Sequence, residues 1–266
     1  MIDTDFLLYF GAGAFTGVLS GLLGVGGGTV IVPILVFIFT AQHFPDAYIM
    51  HMALGTSLAT IIFTSMSSAR AHQRKGNVDW QVVKRITPSI VIGTIIGALL
   101  AAQMHSFWLK AIFAVFVLGI ATQMIMNFTP NAQRKIPGSI GMNGMGGFIG
   151  VVSSLVGIGG GTVTVPFLIY CNFNPRLAIG SSAAIGIPIA ITGTIGYIYS
   201  GFSVADLPAY SLGFIYLPAF IGITVTSMLT AAFGAALAQK LATQTLKRIF
   251  AVLLYIVGFK MLWSLF

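Results

Sequence analysis

The sequence predicts an all-α polytopic membrane protein made of two inverted-topology repeats, and three observations carry that prediction. The chain of 266 residues is 57% hydrophobic and only 7% charged, whereas a soluble domain of this size carries roughly a quarter charged residues. Apolar runs such as residues 111–128, or 86–98 continuing into 99–105, are long enough to cross about 30 Å of hydrocarbon as helices. Residues 17–33 (GVLSGLLGVGGGTVIVP) match residues 150–166 (GVVSSLVGIGGGTVTVP) at 12 of 17 positions, at an offset of 133, half the chain length. The chain is therefore a tandem duplication. The ten-residue alternation of a membrane β-barrel is absent.

The first repeat, residues 1–130, begins Met1-Ile2-Asp3-Thr4-Asp5, which lacks the basic n-region of a signal peptide. Residue 6 onward is read as the first membrane helix, over 6–23. Gly24-Val25-Gly26-Gly27-Gly28 interrupts it, and the apolar piece that follows, 29–39, is too short to span comfortably. Helices are expected over 47–69, 83–104 and 107–128. After a linker at 131–137, the second repeat, 138–266, runs in the same order: a helix over 138–156, a break at 157–161, a short piece at 162–170, then helices over 176–200, 208–238 and 245–266. The closing helices also align, Leu109-Lys110-Ala111-Ile112-Phe113-Ala114-Val115 against Leu246-Lys247-Arg248-Ile249-Phe250-Ala251-Val252. Each repeat is thus a glycine-broken, re-entrant-like hairpin plus three transmembrane helices, and the two together form one transport domain.

Charge placement sets the orientation. Arg70, Arg74, Lys75, Lys84 and Arg85 flank one loop, Arg134 and Lys135 lie in the linker, and Lys240, Lys247 and Arg248 flank the last loop. If each glycine break turns its hairpin back, these fall on one side together with Arg176. Only Lys110 and Lys260 are left opposite, so 11 of 13 basic residues agree. By the positive-inside rule that side is the cytoplasm. The linker is then cytoplasmic, both termini face out, and the halves point in opposite directions. Parallel halves with one extra span are the alternative, and they scatter the basic clusters over both faces. The +8 charge fits this arrangement, and no basic stripe interleaved with aromatics suggests nucleic acid.

Three successive glycines destabilise a helix by roughly 1 kcal/mol each against alanine and free backbone groups, which hydrocarbon tolerates only where protein or a water-lined cavity covers them. Gly26, Gly27, Gly28 and Gly159, Gly160, Gly161 are therefore expected in the interior. Thr29 and Thr162 follow as N-caps or first-turn residues of the short pieces. A helix N-terminus offers free N–H groups and about half a positive charge. Two such ends meeting make a cationic pocket without a cationic side chain, suited to a small anion; close helix packing is the competing reading. For Gly13, Gly17 and Gly21, repeated as Gly146, Gly150 and Ser154, and for Gly93 and Gly97, packing is the preferred reading.

A second matched pair, Ala53-Leu54-Gly55-Thr56-Ser57 and Ala178-Ile179-Gly180-Ser181-Ser182, is offset by 125. Thr56, Ser57, Ser181 and Ser182 either donate to the anion or bond back to the preceding turn. The same offset pairs His51 with Arg176 at opposite faces, as candidate gates or as interfacial anchors.

The chain has no Glu, and its five Asp lie at segment ends or in loops. A carboxylate-based proton path is not expected. No catalytic or phosphate-binding motif occurs, one cysteine excludes an intramolecular disulfide, and no metal cluster or cofactor is expected. The readings that stand are a secondary transporter for a small anion, a passive anion channel or facilitator on the same scaffold, and an intramembrane enzyme or membrane-anchored assembly factor, for which no catalytic constellation is present in the sequence. The expected partners are the substrate anion and the lipid bilayer; the sequence does not fix whether copies associate.

The paired G-x-x-S-x-L-x-G-[VI]-G-G-G-x-x-x-V-P motif, the A-[LI]-G-[TS]-S segments and the L-K-x-x-F-A-V helices resemble the TauE/SafE family of membrane permeases. The resemblance covers nearly the whole chain, with Ser154 standing where the first motif has Gly21. It implies an inner-membrane exporter of sulfite or organosulfonates.

Overall fold

The computed structural model describes residues 2–23, 28–126, 138–238 and 243–264. The first repeat supplies α1 (Ile2–Leu23), α2 (Gly28–Ala41), α3 (Ile49–Gln73), α4 (Trp80–Gln103) and α5 (Ser106–Ile125). The second supplies α6 (Ser139–Val156), α7 (Gly161–Tyr170), α8 (Pro175–Gly201), α9 (Leu217–Ala238) and α10 (Thr243–Trp263). The linker 131–137, Arg134, Lys135 and Lys240 lie outside the described residues.

Among the described residues, five helices, α3, α4, α5, α6 and α8, are long and apolar enough to cross a membrane. Their outward faces carry large apolar side chains such as Ile92, Ile96, Trp108, Val115 and Ile195, as a surface solvated by lipid does. In α3, 78% of the apolar stretch is buried, and in α8, 61%, against 28% in α5. The third helices of the two repeats are therefore the centre of the bundle.

These central helices run antiparallel. A Cβ on Gly55 would meet Tyr197 Cβ at 3.0 Å, one on Gly193 would meet Leu58 Cδ1 at 2.8 Å, and one on Gly186 would meet Ser65 Oγ at 2.8 Å. At the far end Gly180 lies against Asn77 and His72. Around this pair, α1 packs along α9 and α4 along α6. Gly13 and Gly17 rest on Ile223, Thr226, Ser227 and Thr230, while Gly146 and Gly150 rest on Ile86, Ser89, Ile90 and Gly93. The small-residue faces thus act as close-packing seams. Each joins the first helix of one repeat to the fourth helix of the other.

The same exchange fixes the loops. Thr56 Oγ1 accepts the Tyr216 N–H at 3.0 Å, and Ser181 Oγ accepts the Asp79 N–H at 2.9 Å. Gly55 faces Phe214 O and Gly180 faces Asn77 O. Asp79 also caps α4, its Oδ1 accepting from the Gln81 and Val82 N–H groups.

One expected element differs. The helix read over 208–238 begins only at Leu217, and a two-stranded hairpin, Ser211–Leu212 with Ile215–Tyr216, precedes it. Tyr210 and Gly213 both take positive φ, 67° and 55°. This tight turn lets the chain press onto Ile198 and Gly201 at the end of α8, and such backbone cannot continue a helix.

Candidate functional site

The second glycine break is a built turn. Gly157 has φ +67° and caps α6, its N–H and that of Ile158 both returning to Ser153 O. This is the left-handed stop that glycine makes without a Cβ penalty. Three residues on, Gly160 has φ +69° and caps α7, its carbonyl accepting from Val163 and Thr164 at 3.2 and 2.8 Å. A Cβ on Gly159 would come 2.8 Å from Ile61 Cγ2, whereas one on Gly161 would meet nothing within 4 Å. Two glycines of the run are thus required by conformation or by packing. The third opens on space beside the N-terminal turn of the ten-residue α7.

The start of α2 meets the second break. A Cβ on Gly28 would lie 2.8 Å from Gly157 O and 3.0 Å from Ile158 Cα. Ser57 Oγ donates to Gly157 O at 2.8 Å, tying the turn to α3. The approach is from opposite ends of the bundle. Tyr9, early in α1, donates its hydroxyl to Gln42 Oε1 just past α2, so that pair begins and ends together. At the other end, the Arg85 guanidinium donates to Ser139 Oγ at the start of α6, and Asn77 meets Gly180 early in α8.

Unpartnered hydroxyls surround the meeting point. Ser153 and Thr164 are fully buried. Their oxygens lie 3.9 and 3.5 Å from the position a Gly160 Cβ would take, and neither has a hydrogen-bond partner. Thr29 and Thr162 Oγ1 are unpartnered too. Other buried hydroxyls turn back to a carbonyl in their own helix, as Thr60 does to Ser57 O at 2.7 Å and Ser182 to Ile179 O at 2.8 Å. Buried polar atoms are nearly always paired, so an unpaired group of them beside a helix N-terminus has the character of a binding site.

The site residues read from the sequence separate as follows. Gly28, Thr29, Gly159, Gly160, Gly161 and Thr162 gather at the meeting of the tips; Gly26 and Gly27 lie outside the described residues. Ser57 touches the second tip. Thr56 and Ser181 hold the loops of the opposite repeat, and Ser182 Oγ donates to Ile179 O at 2.8 Å in its own helix. His51 is buried, and its Nε2–H lies 3.0 Å from Ala101 O and 3.1 Å from Met104 O. It therefore secures the end of α4. Arg176 is exposed, its N–H bonded to Asn174 Oδ1 at the start of α8. Sequence reading missed Ser153 and Thr164. The usable signal was a hydroxyl at position 164 where the first motif has Ile31.

A family model for the sulfite exporter TauE/SafE matches residues 9–261. A probable membrane transporter protein of Haemophilus influenzae is 41% identical over 97% of this chain and 98% of its own. One of Methanocaldococcus jannaschii is 28% identical, covering 94% and 92%. The probable membrane transporter protein YunE of Bacillus subtilis is 25% identical, covering 98% of each. No solved structure matches. With that family match spanning nearly every helix described above, the chain belongs to the TauE/SafE sulfite exporter family and is a multi-pass helical membrane protein.

Proposed function

We propose that the protein is a secondary transporter that exports a small sulfur-containing anion, sulfite or an organosulfonate, across a cell inner membrane by alternating access. The observation that carries this is the set of unpartnered buried hydroxyls, Ser153, Thr164 and Thr29, beside the open N-terminal turn of α7. O–H groups and a helix N-terminus are both donors, and together they suit an oxyanion. The family and its relatives support transport, and the family description supports the sulfur oxyanion.

Inverted repeats supply the frame. The antiparallel run of α3 against α8, equivalent helices of the two halves, supports inversion. The end that holds Arg74, Lys75, Lys84 and Arg85 is the cytoplasmic one, which leaves both termini outside. The moving bodies are not the halves themselves. The glycine seams bind α1 to α9 and α4 to α6, so each rocking unit takes helices from both repeats.

The test is sulfite efflux from proteoliposomes. Gly160→Leu is expected to abolish flux while the protein still inserts and remains monodisperse. Unchanged flux through such a variant would sink the reading. A second reading, a passive facilitator, is favoured by the absence of any Glu and the terminal placement of the five Asp. Flux that stays downhill under every imposed proton or sodium gradient decides for it.

A further inference from the structure

The hydroxyls without partners are distributed unevenly. Besides Ser153 and Thr164, the oxygens of Ser154, Thr94 and Thr194 are buried and unpartnered. Ser154 and Thr94 stand at the junction of α4, α6 and α8. A Cβ on Gly97 would lie 3.0 Å from Ser154 Cβ, and one on Gly193 would lie 3.4 Å from Thr94 Cγ2. Thr194 follows Gly193 in α8. Tyr197, one turn further along, donates its hydroxyl to Ser154 O at 3.0 Å.

The other side of the molecule offers the comparison. The structure fixes how the repeats correspond. Asp79 and Tyr216 donate to Ser181 and Thr56, and Ser89 and Thr226 occupy the same place against Gly146 and Gly13. Both pairs are 137 apart. At the offsets set by these pairs and by the two motifs, Thr94 corresponds to Ala231, Ser154 to Gly21, Thr164 to Ile31 and Thr194 to Ala69. These four hydroxyls are missing from the matching positions; a fifth, Ser153, corresponds to Ser20, which keeps its hydroxyl in a half-buried setting where Ser153 is fully buried. Duplication supplied two equivalent junctions, and the one between α4, α6 and α8 gathers the unpartnered Thr94, Ser153, Ser154 and Thr194, whereas α9 carries one such hydroxyl among the described residues, Thr224.

A buried hydroxyl that does not bond back to its own helix needs another partner. Here no carboxylate competes for it, since the chain has no Glu and its Asp residues lie at segment ends or in loops. We propose that the junction of α4, α6 and α8 is a hydrated anion passage that leads from the glycine tips, lined by Ser153, Ser154, Thr94 and Thr194, and that the equivalent junction of α9, α1 and α3 is closed. The proposal rests on the transport reading above and assigns that site a single, one-sided route. Its ligand is an oxyanion small enough to pass between hydroxyls.

The test uses single cysteines in the full-length protein with Cys171→Ser, which removes the one native thiol. Thr94→Cys, Ser153→Cys and Ser154→Cys line the passage, and Ala231→Cys and Ile31→Cys are the matching positions on the other side. Each is treated in proteoliposomes with sulfonatoethyl methanethiosulfonate, an anion, and with its trimethylammonium analogue, a cation. The three passage cysteines are expected to react with the anionic reagent roughly tenfold faster than with the cationic one, as a donor-lined path of one sign favours. The two on the other side are expected to stay unmodified. Two results overturn the proposal: equal labelling on both sides, or passage cysteines that react with neither reagent or with the cation alone. Ser153→Cys is close to isosteric, so the test stands if a bulkier change at Thr94 disturbs folding. Sulfite efflux by the unlabelled variants is measured in parallel. Normal efflux without one-sided labelling rejects the passage and leaves the transporter standing.

Discussion

Thr56 accepts the backbone N–H of Tyr216 at 3.0 Å across 160 residues of chain. Its counterpart Ser181 does the same for Asp79 at 2.9 Å. In both cases the glycine just before the hydroxyl lets a loop carbonyl of the opposite repeat approach, Gly55 for Phe214 and Gly180 for Asn77. The hydroxyl segments therefore clasp the two repeats. Thr56→Val removes this acceptor from the half-buried Tyr216 N–H, which costs about 1 kcal/mol, the net worth of a typical hydrogen bond. A lower melting temperature in detergent is expected, with Thr56→Ser close to the parent. A Thr56→Val variant that melts like the parent would show that the clasp contributes nothing.

Adding a methyl group should separate the seam glycines from the rest. Gly13 and Gly180 face backbone or side-chain oxygens with no room for a Cβ, while Gly11 and Gly119 face open space. Gly180→Ala is expected to destabilise by about 1–3 kcal/mol, the usual range for overpacking. Gly119→Ala should be neutral or slightly stabilising, because alanine favours the helix. Thermal unfolding of Gly13→Ala, Gly180→Ala, Gly11→Ala and Gly119→Ala, followed by loss of the monodisperse peak, checks the order.

Neighbouring glycines at the tip should respond differently. Gly160 holds φ +69° and a Cβ on it would lie 2.5 Å from Ile189 Cδ1, whereas one on Gly161 would meet free space. Gly160→Ala forces a left-handed alanine, at roughly 1–2 kcal/mol. Gly161→Ala should leave stability near the parent yet lower sulfite flux, since its methyl enters the space beside α7. Parent-like flux in Gly161→Ala would place the anion elsewhere.

His51 joins α3 to the last carbonyls of α4, those of Ala101 and Met104. His51→Ala removes that donor and opens the end of the helix. Faster amide hydrogen exchange near residues 101–105 is expected, with the core of α3 unchanged. His51→Asn, which keeps a donor on a shorter arm, should show a smaller effect.

Cys171 lies just past α7, 5% exposed. Burial pushes its thiol above the ordinary range, because desolvation disfavours the thiolate. The reactive thiolate is therefore scarce at pH 7 and grows as pH rises. Maleimide labelling of folded protein should be slow at neutral pH and still accelerating where a free thiol has levelled off. Rapid labelling at pH 7 would contradict the buried placement.

Much of this architecture was legible in the residues. The triple glycines marked the breaks, and Gly13, Gly17, Gly93 and Gly97 marked faces for close approach. What the spacing of small residues does not carry is the identity of the partner helix. Nothing in Gly13 or Gly17 names Thr226 or Thr230. The hairpin before α9 was also hidden, since Ser211–Tyr216 is apolar enough to read as the start of a span and its turn depends on Tyr210 and Gly213 at positive φ. Hydroxyls posed the third difficulty. Thr56, Ser181 and Ser153 are the same kind of residue in sequence. Only the packing around them tells which one accepts from a loop and which has no partner.

The seam between α1 and α9 also bears on how the chain is made. Thr230 Oγ1 donates to Ala14 O at 3.0 Å, 216 residues later in the sequence. At ~5–20 residues per second, the ribosome takes on the order of 10–40 s to supply α9 after α1 has emerged. Through that interval the glycine face of α1 waits in the bilayer without its mate, whereas α6 finds α4 already waiting. The two halves are alike once folded and unlike while being born. The first helix is the one that an insertase or a chaperone has reason to shelter.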